Sequence, residues 1–405
     1  MNSSLAASVV AALLSIGFAA GAPQGRTGQR QASQFNDIPP EYLVEPHPIP
    51  DFWVSTVEGV NRFLDTQVKK GSVRAIGKTA GGRPIRAVFY GHPRKDKGTT
   101  TFSGSLGFGD VRAYLGPDYE KKVFLALASV HGGEFEGIVG MVNFLAVLET
   151  GRDLRGKQWP EIVSVAKALH RIIVVPIVNV DGRARIPLRM IRFSENEKTA
   201  LNEYFNTGAW RDGSNIGWPE CKAFIPLDFS RTQFPGGYPN DAGINIQHDD
   251  FFSPRRQPET QALFELAAQE RPDLILNMHA GGAPFMRANR SFIEPELMPI
   301  FDRLYRQVQG RLTTEKLQGS DDVSLEADPA PRPLSGFNLD SALNLHCGTL
   351  TVIFEAPSHT YPVKNRKGER VVHKPDDILD AELVVRQETM KFLAETGGRF
   401  RWAQK

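Results

Sequence analysis

Cysteine is nearly absent: Cys221 and Cys347 are the 2 thiols in 405 residues. Two thiols build neither a disulfide framework nor a cysteine-rich zinc cluster. One bridge between them and two free thiols both stay open. An excess of one charge is lacking too. The 48 Lys and Arg against 46 Asp and Glu leave a net charge of +2. That gives no grounds for a nucleic-acid partner or for attraction to an anionic membrane. Past the N-terminus no run approaches the roughly 20 apolar residues of a membrane span. Internal repeats and low-complexity tracts are missing as well. What is present is an ordinary apolar content of 41%, enough chain for one large α/β domain or two smaller ones.

The apolar, small-residue stretch Leu5–Ala20 reads as a secretory signal cleaved near Ala20–Ala22, although the leading MNSS carries no Lys or Arg. The expectation is a signal peptide over 1–22, an irregular proline-rich lead-in over 23–50, one catalytic domain over 51–396 and a tail over 397–405. A signal of this kind places the protein outside the cytoplasm, secreted or periplasmic.

Apolar periodicity predicts a first helix within Asp51–Lys70 and a hairpin of two strands, Gly71–Thr79 and Pro84–Tyr90, around Gly81-Gly82. Gly91–Gly116 reads as loop. Val123–Val130 is almost wholly apolar, the pattern of a strand buried on both faces. Ile138, Met141, Val142, Leu145 and Leu148 then recur at helical spacing. A helix over Trp159–His170 and a strand over Arg171–Asn179 follow. Ile186–Gly243 has no strong period, which in an enzyme often marks a functional surface. Pro258 opens a helix, PETQALFELAAQE, and a strand follows at Asp273–Met278. Helices around Pro295–Leu317, a loop over Asp321–Ser335 and a strand over Thr349–Phe354 come next. The last helix runs from an Asp376 cap to about Glu395, closed by Gly397.

Four apolar strands end in polar residues: His131 and Glu134, Asn179 and Asp181, His279, and Glu355. Asn179 and Asp181 read first as turn-formers. The others form a set with a shared chemistry. Two imidazoles and a carboxylate make a zinc shell that leaves a fourth position open. A further glutamate beside it takes a proton from an attacking water and returns it to a leaving amine, the task given to Glu355. A developing oxyanion needs a positive donor, and Arg183, Arg185, Arg189 and Arg192 follow the Asn179–Gly182 turn. His248 and His346 are rival third ligands. His279 is preferred because it ends a buried strand just after the PETQA helix.

The chain resembles the zinc carboxypeptidase family, the funnelin-type metallopeptidases. Gly77–Ile85 is similar to that family's GxSxxGRxI hairpin, and His131-Gly132-Gly133-Glu134 to its paired ligand motif. Asn179-Val180-Asp181-Gly182 is similar to its NPDG, and Pro258-Glu259-Thr260-Gln261-Ala262 to the helix start before its third ligand. His279 and Glu355 fall where the third ligand and the base belong. The resemblance implies a single α/β domain with a mixed, mostly parallel twisted sheet and helices on both faces. It implies a metallocarboxypeptidase-like hydrolase holding one zinc ion on His131, Glu134 and His279, with Glu355 as base. Arg189 and Arg192 lie nearest the family's oxyanion position.

The departures concern the substrate. Where the family has an Asn-Arg pair for a terminal carboxylate, this chain has Gln247-His248, then Asp249 and Asp250. The family's mobile tyrosine has no counterpart, Phe337 and Asn338 being nearest. The expected substrate is therefore a peptide or small amide of unusual kind, amidated or of cell-wall type, and His248 is either a residue that touches it or a surface or structural histidine. Two other readings stay open: a deacylase of small N-acyl amino acids on the same architecture, of the aspartoacylase or desuccinylase kind, and a non-catalytic peptide-binding relative. Trp210, Trp218 and Phe224 are candidates either for a cleft floor or for packing under the long loop.

Overall fold

Val123–Ala128 is buried at every residue, as an unbroken apolar run requires when a strand has cover on both faces. The computed structural model describes residues 38–194, 201–223, 226–281, 287–289, 292–317, 336–360, 362–364 and 370–402. The expected export signal, the first part of the lead-in, Phe224 and the stretch 321–335 lie outside the described residues.

Seven strands form one sheet: β1 (Ser72–Lys78), β2 (Pro84–Gly91), β3 (Val123–Ala128), β4 (Arg171–Val175), β5 (Leu274–Gly281), β6 (Arg287–Asn289) and β7 (Leu350–Pro357). Their spatial order is β1-β2-β4-β3-β5-β7-β6. The central four, β4, β3, β5 and β7, run parallel. The β1–β2 hairpin and β6 close the edges antiparallel. The fold is thus a mixed, mostly parallel α/β sheet with helices on both faces. From β3 the chain steps to β4 on one side, then crosses to β5 on the other. Such a reversal opens a crevice at the strands' carboxyl ends, and here that crevice lies between β3 and β5.

The helices follow from local signals. α1 (Val57–Thr66) starts later than its periodicity suggested, because Thr56 accepts from the Gly59 N–H and fixes the boundary. α2 (Phe135–Thr150) and α3 (Pro160–Ala168) bridge β3 and β4. α4 (Val180–Arg185) replaces the expected turn, and β4 stops at Val175. α5 (Pro258–Glu270) opens on its proline as expected. α6 (Met298–Thr314) and α7 (Leu339–Cys347) precede β7, and α8 (Pro375–Thr396) closes the sequence of long elements. Two corrections concern ends and loops. Pro375, not a capping Asp376, begins α8, and Lys374 at its N-cap makes no side-chain cap bond; Gly397 does end it in the left-handed region. The expected loop 91–116 contains two short helices, Phe102–Phe108 and Arg112–Leu115, the first capped by Thr101.

α8 packs on α2, α3 and α6, while α5 packs on β1 and α7 on β7. On α8, Glu382 and Arg386 form a fully buried ion pair, and Arg386 also donates to the Gly137 carbonyl of α2. Burial raises the Glu382 carboxyl above its ordinary value, although the Arg386 charge opposes this. Glu382→Ala is expected to cost about 3–5 kcal/mol in urea unfolding, since it strands a guanidinium in the core. Joint replacement of the pair by Leu and Met should recover most of that loss. A single variant as stable as the wild type would show that the pair contributes nothing.

Candidate metal centre

His131 and Glu134 leave β3 on a glycine turn whose tightness has a visible cause. The Gly132 N–H donates to the Gly237 carbonyl at 2.8 Å. A Cβ on Gly132 would lie 2.2 Å from the Arg183 nitrogen, and one on Gly133 would lie 2.5 Å from the Asn206 side chain. Only glycine permits so close a backbone approach. Glu134 then stands at the N-terminus of α2, where the helix end favours a carboxylate.

The third residue arrives on the neighbouring strand. β5 runs past Met278 to Gly281, further than its apolar run, because it pairs in register with β7. In that register His279 faces Glu355, so both side chains stand on one side of the sheet. His131, Glu134 and His279 are all buried, and their donor atoms lie within 4.8 Å of one another. They are the one such group of His, Cys, Asp and Glu among the described residues. His131 Nδ1 lies 2.7 Å from Glu134 Oε1, and His279 Nδ1 lies 3.1 Å from Glu134 Oε2. The Ala280 N–H also donates to Oε2, at 3.2 Å. Burial alone would raise the Glu134 carboxyl, but the His131 and His279 charges bring it below its ordinary range. Burial would likewise lower the His279 imidazole, and the Glu134 charge more than reverses that.

The ring of His131 is held from two further sides. Its Nε2 lies 3.2 Å from Asn245 Oδ1. Asn245 Nδ2 donates to the Cys221 carbonyl, so Oδ1 is the atom turned to the imidazole. With Nε2 donating to that oxygen, the Nδ1 lone pair would become available to a cation that displaces the proton shared with Glu134. Tyr238 stacks flat on the same ring, 3.6 Å between centroids and 2° between planes. The set suits zinc in its donors, two imidazole nitrogens and one carboxylate. His279 Nε2 is moreover buried with no hydrogen-bond partner, the state of a polar atom awaiting one.

The other predicted residues fall elsewhere. His346 lies on α7 against the Phe264 ring, outside the triad. Gln247 is turned away from any tail-binding role: its Nε2 donates to buried Asp340, which also accepts from Asn277. His248 lines an open cavity of about 300 Å³ with Asp249, Asp250, Phe251, Phe252 and Phe337. Burial, with the His131 charge adding to it, pulls the His248 imidazole down to about 4. It is neutral near pH 7 and brings no charge to a carboxylate. Among the candidate arginines, Arg183 is spent on the Ser55, Ile186 and Leu188 carbonyls. Arg185 holds the Gly236 and Pro239 carbonyls and Asp241. Arg189 pairs with Glu45. Arg192 is exposed.

Asn179 and Asp181 are structural. Asn179 caps α4, and Asp181 accepts from Thr79, Gly81 and Arg83 of the β1–β2 hairpin. Glu259 of α5 accepts from Ala80 in the same hairpin. Three recognisable motifs thus meet in one polar knot that fixes the hairpin to the sheet. Cys221 and Cys347 are both buried and free. Trp210 packs on the cluster of Ile216, Cys221, Leu227 and Tyr238, whereas Trp218 is exposed beneath Lys222. Asn245, Tyr238 and Asp340 carried no signal in the sequence, because each acts through a partner distant along the chain.

A family model described as zinc carboxypeptidase matches residues 64–291. No curated protein matches. Among solved structures, a candidate carboxypeptidase from Burkholderia mallei is similar at 16% identity, TM-score 0.50, over 83% of this chain and 67% of that one. A metallo-carboxypeptidase from Burkholderia cenocepacia is similar at 17% identity, TM-score 0.47, over 83% and 69%. Carboxypeptidase A from Helicoverpa armigera is similar at 14% identity, TM-score 0.48, over 85% and 74%.

Proposed function

Because this chain belongs to the zinc carboxypeptidase family, we propose that it hydrolyses a peptide or amide bond at one zinc ion held by His131, Glu134 and His279. The observation that carries this is the convergence of the three buried donors at the β3–β5 crevice. Bound zinc supplies Lewis acidity, polarising the scissile carbonyl and making a water acidic enough to attack near neutral pH. Asn245 fixes the tautomer of His131. Glu355, in register with His279, takes the proton of the attacking water and returns it to the leaving nitrogen. Arg192 is the arginine left to face developing negative charge. Its neighbours support that placement, because the Ile191 carbonyl is held by His359 and the Ser194 N–H donates to Thr360. Residues 191–194 therefore run beside the exit of β7, just past Glu355.

The substrate's tail has no charged clamp in the expected place. Gln247 is engaged by Asp340, His248 is neutral, and Asp249 and Asp250 would repel a carboxylate. A tail without a free carboxylate suits this wall best. Small N-acyl amino acids gain nothing there, because they bring a carboxylate of their own. The test is to incubate zinc-loaded protein with peptides bearing free and amidated C-termini and with N-acyl amino acids. Amidated peptides should be cut at least as fast as free ones. Arg192→Ala should lower kcat about 100-fold on the same peptides, the usual loss for one oxyanion donor. Absence of any hydrolysis would refute the hydrolase reading. A strict need for a free carboxylate would refute the reading of the tail, and full activity in Arg192→Ala would remove that arginine from the mechanism.

A further inference from the structure

Tyr238 is anchored more tightly than packing demands. Its N–H donates to the Asn206 carbonyl at 2.8 Å, and its carbonyl accepts from Asn179 Nδ2 at 3.0 Å. The preceding Gly237 is tied by its own carbonyl to the turn that carries His131. Its ring lies flat on His131. Only 9% of the residue is exposed. A phenol so buried ordinarily finds a partner for its hydroxyl. This one makes no hydrogen bond to any described residue, yet it is not among the sealed polar atoms that lack a partner. The hydroxyl is therefore not sealed off from open space. A phenol is a neutral donor near pH 7.

We infer that Tyr238 is a substrate-contacting residue of this site, its ring bracing the ligand His131 and its hydroxyl donating to a backbone carbonyl of the bound peptide or amide beside the bond to be cut. The inference rests on the hydrolase reading above. It assigns two separable tasks to one side chain: the ring belongs to the metal shell, the oxygen to the substrate.

The experiment uses the full-length, zinc-loaded protein. Tyr238→Phe keeps the stacked ring and removes only the oxygen. Zinc affinity should stay within about twofold, while kcat/KM on the best-cleaved peptide of the panel should fall about 10–100-fold, between the loss of a neutral hydrogen bond and that of an oxyanion donor. In the Glu355→Gln background, calorimetry with the same uncut peptide should show about tenfold weaker binding when Tyr238→Phe is added. Tyr238→Leu, which removes the ring, should in addition weaken zinc binding. Tyr238→Phe that binds and cleaves as the wild type does would overturn the inference and leave the hydrolase reading intact. Loss of zinc in Tyr238→Phe would overturn it too, by making the oxygen part of the metal shell. A wild type that cleaves nothing would instead overturn the reading beneath it.

Discussion

His279→Ala should fail to retain zinc through dialysis that leaves about one equivalent on the wild type. Removing His279 leaves His131 and Glu134, two donors three residues apart on one turn. Loss of an outer partner of a ligand already weakens metal binding about 10–100-fold, so loss of a ligand should exceed about 100-fold. A second readout guards against simple misfolding. Zinc at 100 times its dissociation constant should stabilise the wild type by about 2.7 kcal/mol, by mass action alone. The variant should melt at one temperature with and without the metal. Acid should act in the same direction. In the metal-free site the Glu134 charge holds a proton on His279, and zinc must displace it, so affinity should fall as pH falls. Undiminished zinc content in His279→Ala would sink the ligand assignment.

Why these donors were readable, and others not, has a physical cause. β3, β4, β5 and β7 are buried on both faces, so their sequences are apolar runs that no loop imitates. A His or Glu at the end of such a run is conspicuous. The strand ends were less legible. β5 and β7 extend through His279 and Glu355 because each pairs with the other, and pairing is a property of two segments. The region after α4 has no period at all, yet it supplies Tyr238 and Asn245, the two residues that fix the His131 ring. Their signal is a contact across the chain, invisible to any local pattern. The same holds for the arginines: four candidates lie close in sequence, and only their partners separate them. Arg183 is the extreme case, fully buried with its guanidinium on three carbonyls. That Gln247 and His248 stand where an Asn-Arg pair was expected was legible in the sequence itself. That Gln247 is tied to Asp340 was not, because Asp340 sits on a helix, α7, that follows a stretch with no helical pattern.

Glu355→Gln is the variant that separates binding from chemistry. Glu355 is not one of the three candidate donors His131, Glu134 and His279, so zinc content should match the wild type. The amide nearly preserves the size and hydrogen-bonding reach of the carboxylate, so peptide binding should change little. What the amide cannot do is accept the water's proton and hand it to the leaving nitrogen. A positioned general base contributes about 10²–10⁴-fold, and kcat should fall by that factor with KM nearly constant. The contrast with His279→Ala is what gives the pair its value. One variant loses metal and activity together, whereas the other loses activity with the metal in place. Should Glu355→Gln turn over peptide at the wild-type rate with full zinc, the base must be another group, and the register that sets Glu355 opposite His279 would be a feature of the sheet alone.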